Sequence, residues 1–123
     1  MQYLLLVSLG GALGAATRYW VNQLIFTHFG SVLLGTFLAN TSGSFILGLF
    51  VGLLSSHPTL PTETRMFLSV GFLGSYTTFS TWSVATIQLL QKGDIATAAI
   101  NLGASILLGL TAAVAGLVLG RAI

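Results

Sequence analysis

Four long apolar stretches, separated by short polar segments, follow one another along the chain. Each is at least as long as the roughly 20 residues that a helix needs to cross a bilayer. Because the connections are short, consecutive helices must run antiparallel. The pattern predicts an all-α integral membrane protein with a single domain over residues 1–123. Its transmembrane helices are expected at Gln2–Thr27, Ser31–Leu54, Thr62–Gln91 and Asp94–Gly120.

Capping residues mark the ends of these stretches. Gly30 before Ser31, and Gly93 before Asp94, are typical of a glycine that ends one helix and a polar side chain that caps the next. Pro61 is suited to the start of the third helix. These local signals support the boundaries that hydrophobicity alone suggests.

Polar and small residues recur at every fourth position on two of the helices, so each set shares one helix face. Small residues let membrane helices pack closely, and this accounts for the glycines. It accounts less well for Asn40, because a carboxamide needs several hydrogen-bond partners. We therefore predict that Asn40 faces a wet or ion-conducting path. The two sets are Thr36, Asn40, Ser44, Gly48 and Gly52 on the second helix, and Thr97, Asn101, Ser105 and Gly109 on the fourth.

The third helix contains the segment GSYTTFSTWS, residues 74–83, in which seven of ten residues are Gly, Ser or Thr. Gly71 and Gly74 weaken a helix, and hydroxyl groups compete for its backbone hydrogen bonds. Non-helical backbone at membrane depth is tolerated only inside protein or beside water, and transporters use such breaks to bind ions. The segment predicts a break near the middle of the third helix with an ion site beside it. A flexible kink is the alternative.

Composition places the chain in a membrane. It is 54% hydrophobic and only 5% charged, whereas soluble domains carry about 25% charged residues. A net charge of +2 is too small for a nucleic-acid surface, so no nucleic-acid partner is expected. The chain has no cysteine, which excludes disulfides and thiolate metal sites. We expect no signal peptide, because the first apolar stretch lacks a basic leader and a cleavage pattern.

Titratable groups are placed at the helix ends. Glu63 and Asp94 are the only acids, and His28 and His57 also fall at the ends of crossings. Proton-coupled carriers usually keep a titratable group at membrane depth, and hydrolytic enzymes need a base beside their nucleophile. The pattern therefore disfavours a proton-coupled carrier, and we expect the protein not to be an enzyme.

Arg18 lies inside the first helix, roughly 14 Å from its predicted end. It can extend toward the interface or line an aqueous vestibule that attracts anions, and we favour the vestibule. Of the other basic residues, Arg65 and Arg121 fall on one side and Lys92 on the other. This small difference in basic residues between the two sides does not determine how the chain is oriented in the membrane. Either the short sequence explains it, or the chain inserts in both orientations, which would permit an antiparallel dimer.

Three motifs together resemble the CrcB/Fluc fluoride channels: GALGAATRY (11–19), GTFLAN (35–40) and GSYTTFSTW (74–82). The resemblance covers essentially the whole chain. It implies a passive fluoride-selective channel of the cell (inner) membrane that exports fluoride and lowers its toxicity. It also implies an antiparallel dual-topology homodimer, in which a second copy of the chain has the inverted orientation, and a structural sodium ion at the two-fold axis.

Carried over by position, the resemblance also assigns roles to residues. The pore asparagine falls on Asn40, the vestibule arginine on Arg18 and the first ring of an aromatic box on Phe79. Backbone carbonyls for sodium fall on Gly74 and Thr77. The remaining fluoride-pathway residues are Ser80, Thr81, Trp82 and Ser105, together with Thr36 from the polar face of the second helix.

Three positions depart from the family pattern. Trp82 stands where a second phenylalanine is usual, Ser75 where a second glycine is usual, and Asn101 where some members carry an aromatic residue. The tryptophan leaves the chemistry of half the aromatic box open, and Ser75 leaves the backbone at the break open.

The expected chemistry suits fluoride, because stripping water from this small anion is costly unless donors replace it. Neutral amide and hydroxyl donors, with the positive edge of a phenyl ring, can do so without holding the ion too tightly. Two other hypotheses remain. A small dual-topology multidrug or cation transporter would need a membrane-embedded acid, and a non-transporting assembly subunit would need no ion path.

Overall fold

The computed structural model describes residues 1–123, apart from the side chain of Gln2. The described chain is almost entirely helical, and its helices form four crossings, which confirms the predicted all-α membrane fold. Three helices are long and apolar enough to span a membrane, and the third crossing is built in pieces. The elements are α1 (Gln2–Phe29), α2 (Val32–Ser56), α3 (Thr62–Arg65), a π-helical segment (Met66–Leu73), α4 (Gly74–Tyr76), α5 (Phe79–Gln91) and α6 (Ile95–Ala122).

Both predicted glycine–cap pairs are present. Gly30 and Gly93 adopt left-handed conformations with φ of 66° and 79°. The Ser31 hydroxyl accepts from the Leu34 N–H at 3.1 Å, and the Asp94 carboxylate accepts from the Thr97 N–H at 3.1 Å. Each pair ends one helix and begins the next within a few residues.

The observed helix ends differ slightly from those predicted. Helix α1 ends at Phe29 rather than Thr27, because only Gly30 turns the chain. Helix α2 ends at Ser56 rather than Leu54, since the His57 N–H still donates to Leu53 O at 2.7 Å. Helix α6 runs over Ile95–Ala122 instead of Asp94–Gly120. Hydrophobicity located the crossings, and backbone hydrogen bonds extend them.

Helices α2 and α6 make the most extensive contact in the fold, and it depends on glycine. A methyl group added at Gly116 would lie 2.8 Å from Leu49 N, and one added at Gly120 would lie 2.9 Å from Leu53 N. The backbones therefore touch without intervening side chains. The same device joins α1 to the π-helical segment, where a methyl group on Gly71 would lie 2.8 Å from Val7 O. This confirms close packing through small residues.

The buried core is small and lies where α2 meets the third crossing. Ala39 is fully buried, and Leu73 and Tyr76 pack with it at 3% and 7% exposure. Most large apolar side chains instead point outward, as expected for helices whose surroundings are lipid tails or another membrane protein. The best-packed part of the fold therefore surrounds the break in the third crossing.

The third crossing is broken near its middle, as predicted, but the glycines do not cause the break. Gly74 is a regular right-handed helical residue with φ −61° and ψ −33°. The chain becomes extended at Thr77 (φ −87°, ψ 157°) and Thr78 (φ −150°, ψ 118°). The break therefore lies inside the predicted segment 74–83, at its fourth and fifth residues. The π-helical segment before it was not predicted.

The glycine contacts between α2 and α6 lead to a stability prediction. We expect Gly116→Ala to lower the free energy of unfolding by about 1–3 kcal/mol, because a Cβ has no room against backbone atoms of α2. Gly103→Ala on the same helix is the matched control, since its added methyl group meets nothing within 4 Å. It should be neutral or stabilising. Unfolding of each purified variant in detergent provides the measurement, and equal losses for both variants would contradict the packing argument.

Candidate functional site

The carboxamide of Asn40 holds the break open from the neighbouring helix. Asn40 Oδ1 accepts from the Thr78 N–H at 2.7 Å, and Asn40 Nδ2 donates to Thr78 O at 3.0 Å. In an uninterrupted helix the Thr78 N–H would donate to the carbonyl of Gly74, four residues earlier. Asn40 takes this donor, so the helical ladder stops and the Gly74 carbonyl is released.

The hydroxyl of Thr78 begins the next helix. Thr78 Oγ1 accepts from the Thr81 N–H at 3.3 Å and thereby caps α5. That N–H would otherwise pair with the Thr77 carbonyl. A second carbonyl is thus released by a side chain, one turn after the first. The Ser80 and Thr81 hydroxyls lie 3.4 Å and 3.1 Å from the same Thr78 oxygen.

Further contacts with α2 fix the residues just before the break. The Tyr76 hydroxyl lies 2.9 Å from Ser42 Oγ, which itself donates to Leu38 O at 2.6 Å. The Tyr76 ring stacks on Phe72 with centroids 6.1 Å apart. Gly43 leaves room for this arrangement, because a methyl group there would lie 3.2 Å from the Tyr76 ring. Residues 39–43 of α2 therefore fix the position and shape of the break through direct contacts.

A cavity of about 330 Å³ opens beside the break, between α2, α5 and α6. Phe79 stands at its mouth with 77% of the side chain exposed, and its ring centroid lies 5.3 Å from that of Trp82 at an interplanar angle of 45°. Ser105 Oγ is buried and has no hydrogen-bond partner among the described residues. The cavity is lined by Asn40, Gly43, Ser44, Leu47, Thr77, Thr78, Phe79, Trp82, Ser105, Ile106 and Gly109.

Several predicted site residues therefore meet at one place. Asn40, Phe79, Trp82, Ser105 and Thr77 all border the cavity. They come from α2, from the break itself, and from α5 and α6. Their amide, hydroxyl and aromatic groups carry no formal charge, and they can act as hydrogen-bond donors to a ligand.

Other predicted residues lie outside the cavity lining. Thr81 Oγ1 accepts from Thr78 Oγ1, the Ser80 hydroxyl lies beside the same atom, and both residues are exposed. Thr36 is 4% exposed, with an Oγ1 that has no partner among the described residues. Gly74 is exposed on the surface of the protomer, beyond the cavity. These placements leave their proposed roles as predictions.

Arg18 is half-buried, and its Nη1 donates to Thr77 O at 3.3 Å. A guanidinium within the membrane needs acceptors, and a carbonyl released by the break supplies one. The contact links α1 to the break and brings a fixed positive charge close to the cavity, since Thr77 also lines it. Its electrostatic effect on that side of the site therefore favours anions.

Sequence reasoning missed Thr78, Tyr76 and Ser42 as parts of the site. Thr78 carries a local signal, because a threonine before an amphipathic helix is a typical N-cap. The pairing of Tyr76 with Ser42 joins residues 34 positions apart, and no periodicity within one helix indicates it.

Comparison with known proteins identifies the family. The profile described as "CrcB-like protein, Camphor Resistance (CrcB)" matches residues 5–117. The chain belongs to the CrcB family.

Individual members of the CrcB family resemble the chain along nearly its whole length. A protein of Acidobacterium capsulatum named "Fluoride-specific ion channel FluC" is 41% identical, with 100% of this chain and 98% of the relative covered. A protein of the same name from Hydrogenovibrio crunogenus is 42% identical over 96% of this chain and 90% of its own length. "Fluoride-specific ion channel FluC 2" of Nitrobacter hamburgensis is 42% identical over 98% of both chains.

The two hydrogen bonds of Asn40 make a testable prediction for this CrcB protein. Asn40→Asp keeps an acceptor for the Thr78 N–H but turns an oxygen toward Thr78 O, where Asn40 donates. We expect it to lower the free energy of unfolding by roughly 2 kcal/mol or more, because a buried carbonyl loses its donor and meets a like partial charge.

Ser44→Ala is the matched control, one turn further along α2 and beside the same cavity. Its stability should stay within about 0.5 kcal/mol of the unmodified protein. Unfolding curves of the two variants provide the comparison. An Asn40→Asp protein as stable as Ser44→Ala would show that the carboxamide does not hold the break.

Proposed function

We propose that the protein is a passive, fluoride-selective channel that lets fluoride leave the cytoplasm and so lowers its toxicity. The single observation that carries the proposal is the cavity at the break, which brings neutral donors and aromatic edges from three helices to one place. The names of the CrcB relatives support the choice of ion. We also propose that the protein has no enzymatic activity.

The donors beside the cavity are suited to a small, strongly hydrated anion. Asn40 uses one Nδ2 proton on Thr78 O, and its carboxamide carries a second. Ser105 Oγ has a proton with no assigned acceptor among the described residues. Phe79 and Trp82 add ring edges, which carry partial positive charge. These groups replace hydration water without the tight binding that a full charge would bring.

The absence of a carboxylate from the crossings argues for a channel over a proton-coupled carrier. Glu63 lies in the first turn of α3, and Asp94 caps α6. Both acids are thus used at helix ends. With no acid or histidine in the middle of the sequence's apolar stretches, no side chain there can exchange a proton for a substrate near neutral pH.

We expect liposomes that contain the purified protein to release fluoride, with chloride retained. The reason is that fluoride gains most from short hydrogen bonds to replacement donors, whereas chloride is larger and binds them less well. Ion-selective electrodes measure both ions, with and without a pH gradient. Release of fluoride only when protons are exchanged, or equal release of chloride, would contradict a passive selective channel.

We further propose that two copies associate in inverted orientations around a structural sodium ion. The site would be formed by the carbonyls of Gly74 and Thr77, two from each chain. The residues fit this role, because Asn40 and Thr78 withdraw the N–H groups that would pair with these carbonyls. Carbonyl oxygens are hard ligands of the kind that sodium prefers, and the ion would supply positive charge that holds the two chains together.

Two features bear on this sodium site. Gly74 is exposed on the protomer, which leaves its carbonyl open to a partner chain. Thr77 O already accepts from Arg18, but a carbonyl oxygen has two lone pairs. The guanidinium hydrogen bond uses one lone pair, and the second lone pair remains for a cation. The nearby charge of Arg18 would weaken cation binding, so both copies must contribute ligands.

The dimer proposal predicts different effects at Gly74 and Thr77. An ideal Cβ at Gly74 meets only Ser69 O, at 3.6 Å, so Gly74→Leu should fold but fail to dimerise because its side chain projects into the partner. Thr77→Ser keeps the backbone carbonyl and a hydroxyl for Leu73 O, and should dimerise normally.

Size-exclusion chromatography in sodium buffer and in N-methylglucamine buffer separates these cases. The unmodified protein and Thr77→Ser should be dimers that weaken without sodium. A dimer of Gly74→Leu, or a dimer of the unmodified protein that is equally stable in both buffers, would refute the proposed site.

A further inference from the structure

The hydroxyl of Ser105, like that of Thr36, is buried without a hydrogen-bond partner among the described residues, unlike many other hydroxyls in the helices. Eight serine and threonine side chains donate to the carbonyl four residues earlier in the chain, at 2.6–3.1 Å. Ser83, Thr86 and Thr111 are examples near the cavity or on α6. This bond is the usual way for a hydroxyl to be satisfied in an apolar helix. Ser105 Oγ lacks it, although the atom is buried.

The carbonyl that Ser105 would use is already occupied. Four residues before Ser105 is Asn101, whose carbonyl accepts from Trp82 Nε1 at 3.2 Å. Because Asn101 lies inside α6, the same oxygen also accepts the helical N–H of Ser105. A carbonyl oxygen has two lone pairs, and both are used. The indole therefore competes directly with the Ser105 hydroxyl.

Two further hydrogen bonds keep the indole in this position. Asn101 Nδ2 donates to Thr86 Oγ1 at 2.9 Å, and Thr86 Oγ1 donates to Trp82 O at 2.9 Å. With the indole bond they form a closed circuit between α5 and α6. Thr86 is 4% exposed, so the circuit lies inside the protein. It joins Trp82 to Asn101, two positions at which the resemblance to the family leads one to expect other residues.

We infer that Trp82 is a positioning residue for Ser105. By occupying the Asn101 carbonyl, the indole N–H prevents Ser105 from donating within its own helix and leaves its proton free for an anion in the cavity. The inference rests on the proposed function, because it assumes that fluoride passes through the cavity. It assigns the indole nitrogen a role that a phenylalanine at this position does not have.

The test is to remove the indole N–H while its bulk is kept. Benzothienylalanine at position 82 has a sulfur in place of the N–H group and nearly the same bicyclic shape, and 5-fluorotryptophan keeps the N–H as its matched control. Trp82→Phe is a second, fully genetic variant. Each background is combined with Ser105→Ala. Thr111→Val is the control for hydroxyl removal, since Thr111 donates to Leu107 O at 2.7 Å on the same helix.

Initial rates of fluoride release from liposomes are compared for equal amounts of folded protein. In the unmodified protein Ser105→Ala should slow release about ten-fold, the effect of losing one hydrogen bond to a charged group. With benzothienylalanine or Trp82→Phe, release should already be slower, and Ser105→Ala should then change it less than about two-fold. With 5-fluorotryptophan, which keeps the indole N–H, Ser105→Ala should still slow release about ten-fold. Thr111→Val should not change the rate.

Failure of this inference differs from failure of the proposed function. If Ser105→Ala has the same effect with and without the indole N–H, Trp82 does not act through Ser105, although the channel still stands. If Ser105→Ala loses its effect with 5-fluorotryptophan as it does with benzothienylalanine, ring chemistry and not the N–H is responsible. If the unmodified protein releases no fluoride, the proposed function itself is wrong.

Discussion

The two hydrogen bonds between Asn40 and the backbone of Thr78 are the interaction on which the rest of the site depends. A break inside a membrane helix leaves polar backbone groups in hydrocarbon, at a cost of several kcal/mol for each group without a partner. Asn40 lowers this cost because one carboxamide matches both the N–H and the C=O of an extended residue. The carboxamide of Asn40 replaces the backbone hydrogen-bond partners that Thr78 would have in a continuous helix. The cavity, the cap of α5 and the released carbonyls all follow from this replacement.

Such a clamp needs a rigid support, and close helix packing provides it. Helix α2 carries Asn40, and over residues 45–53 its backbone touches that of α6 through glycines on both helices. On the other side of the break, Gly71 brings the π-helical segment against α1. An asparagine on a loosely packed helix would lose the clamp by a shift of about 1 Å, because hydrogen bonds weaken steeply with distance. The small residues thus serve the site as well as the fold.

Much of this arrangement could be predicted from the sequence, and the exceptions share one cause. Crossings and caps depend on neighbouring residues, so Ser31 and Asp94 were recognisable as caps. The position of the break depends on which donors are captured by another helix. The run of Gly, Ser and Thr over residues 74–83 predicted a break, and the contact with Asn40 places the extended residues at Thr77 and Thr78. Likewise, the indole at position 82 was evident as a departure from the family, but its bond to the Asn101 carbonyl requires the packing of α5 on α6.

The break also explains how one short segment can be suited to ions of both signs. It exposes carbonyls at the end of α4 and N–H groups at the start of α5, and these two ends carry opposite partial charges. Phe79, the first residue of α5, lines the cavity, whereas Gly74 lies outside it. The proposed cation site and the cavity therefore adjoin at Thr77, whose carbonyl is a proposed sodium ligand and which also lines the cavity. Arg18 lies beside this point, and its guanidinium donates a hydrogen bond to Thr77 O. Its charge is thereby retained inside the membrane without a carboxylate, which would repel the anion that the cavity is suited to hold.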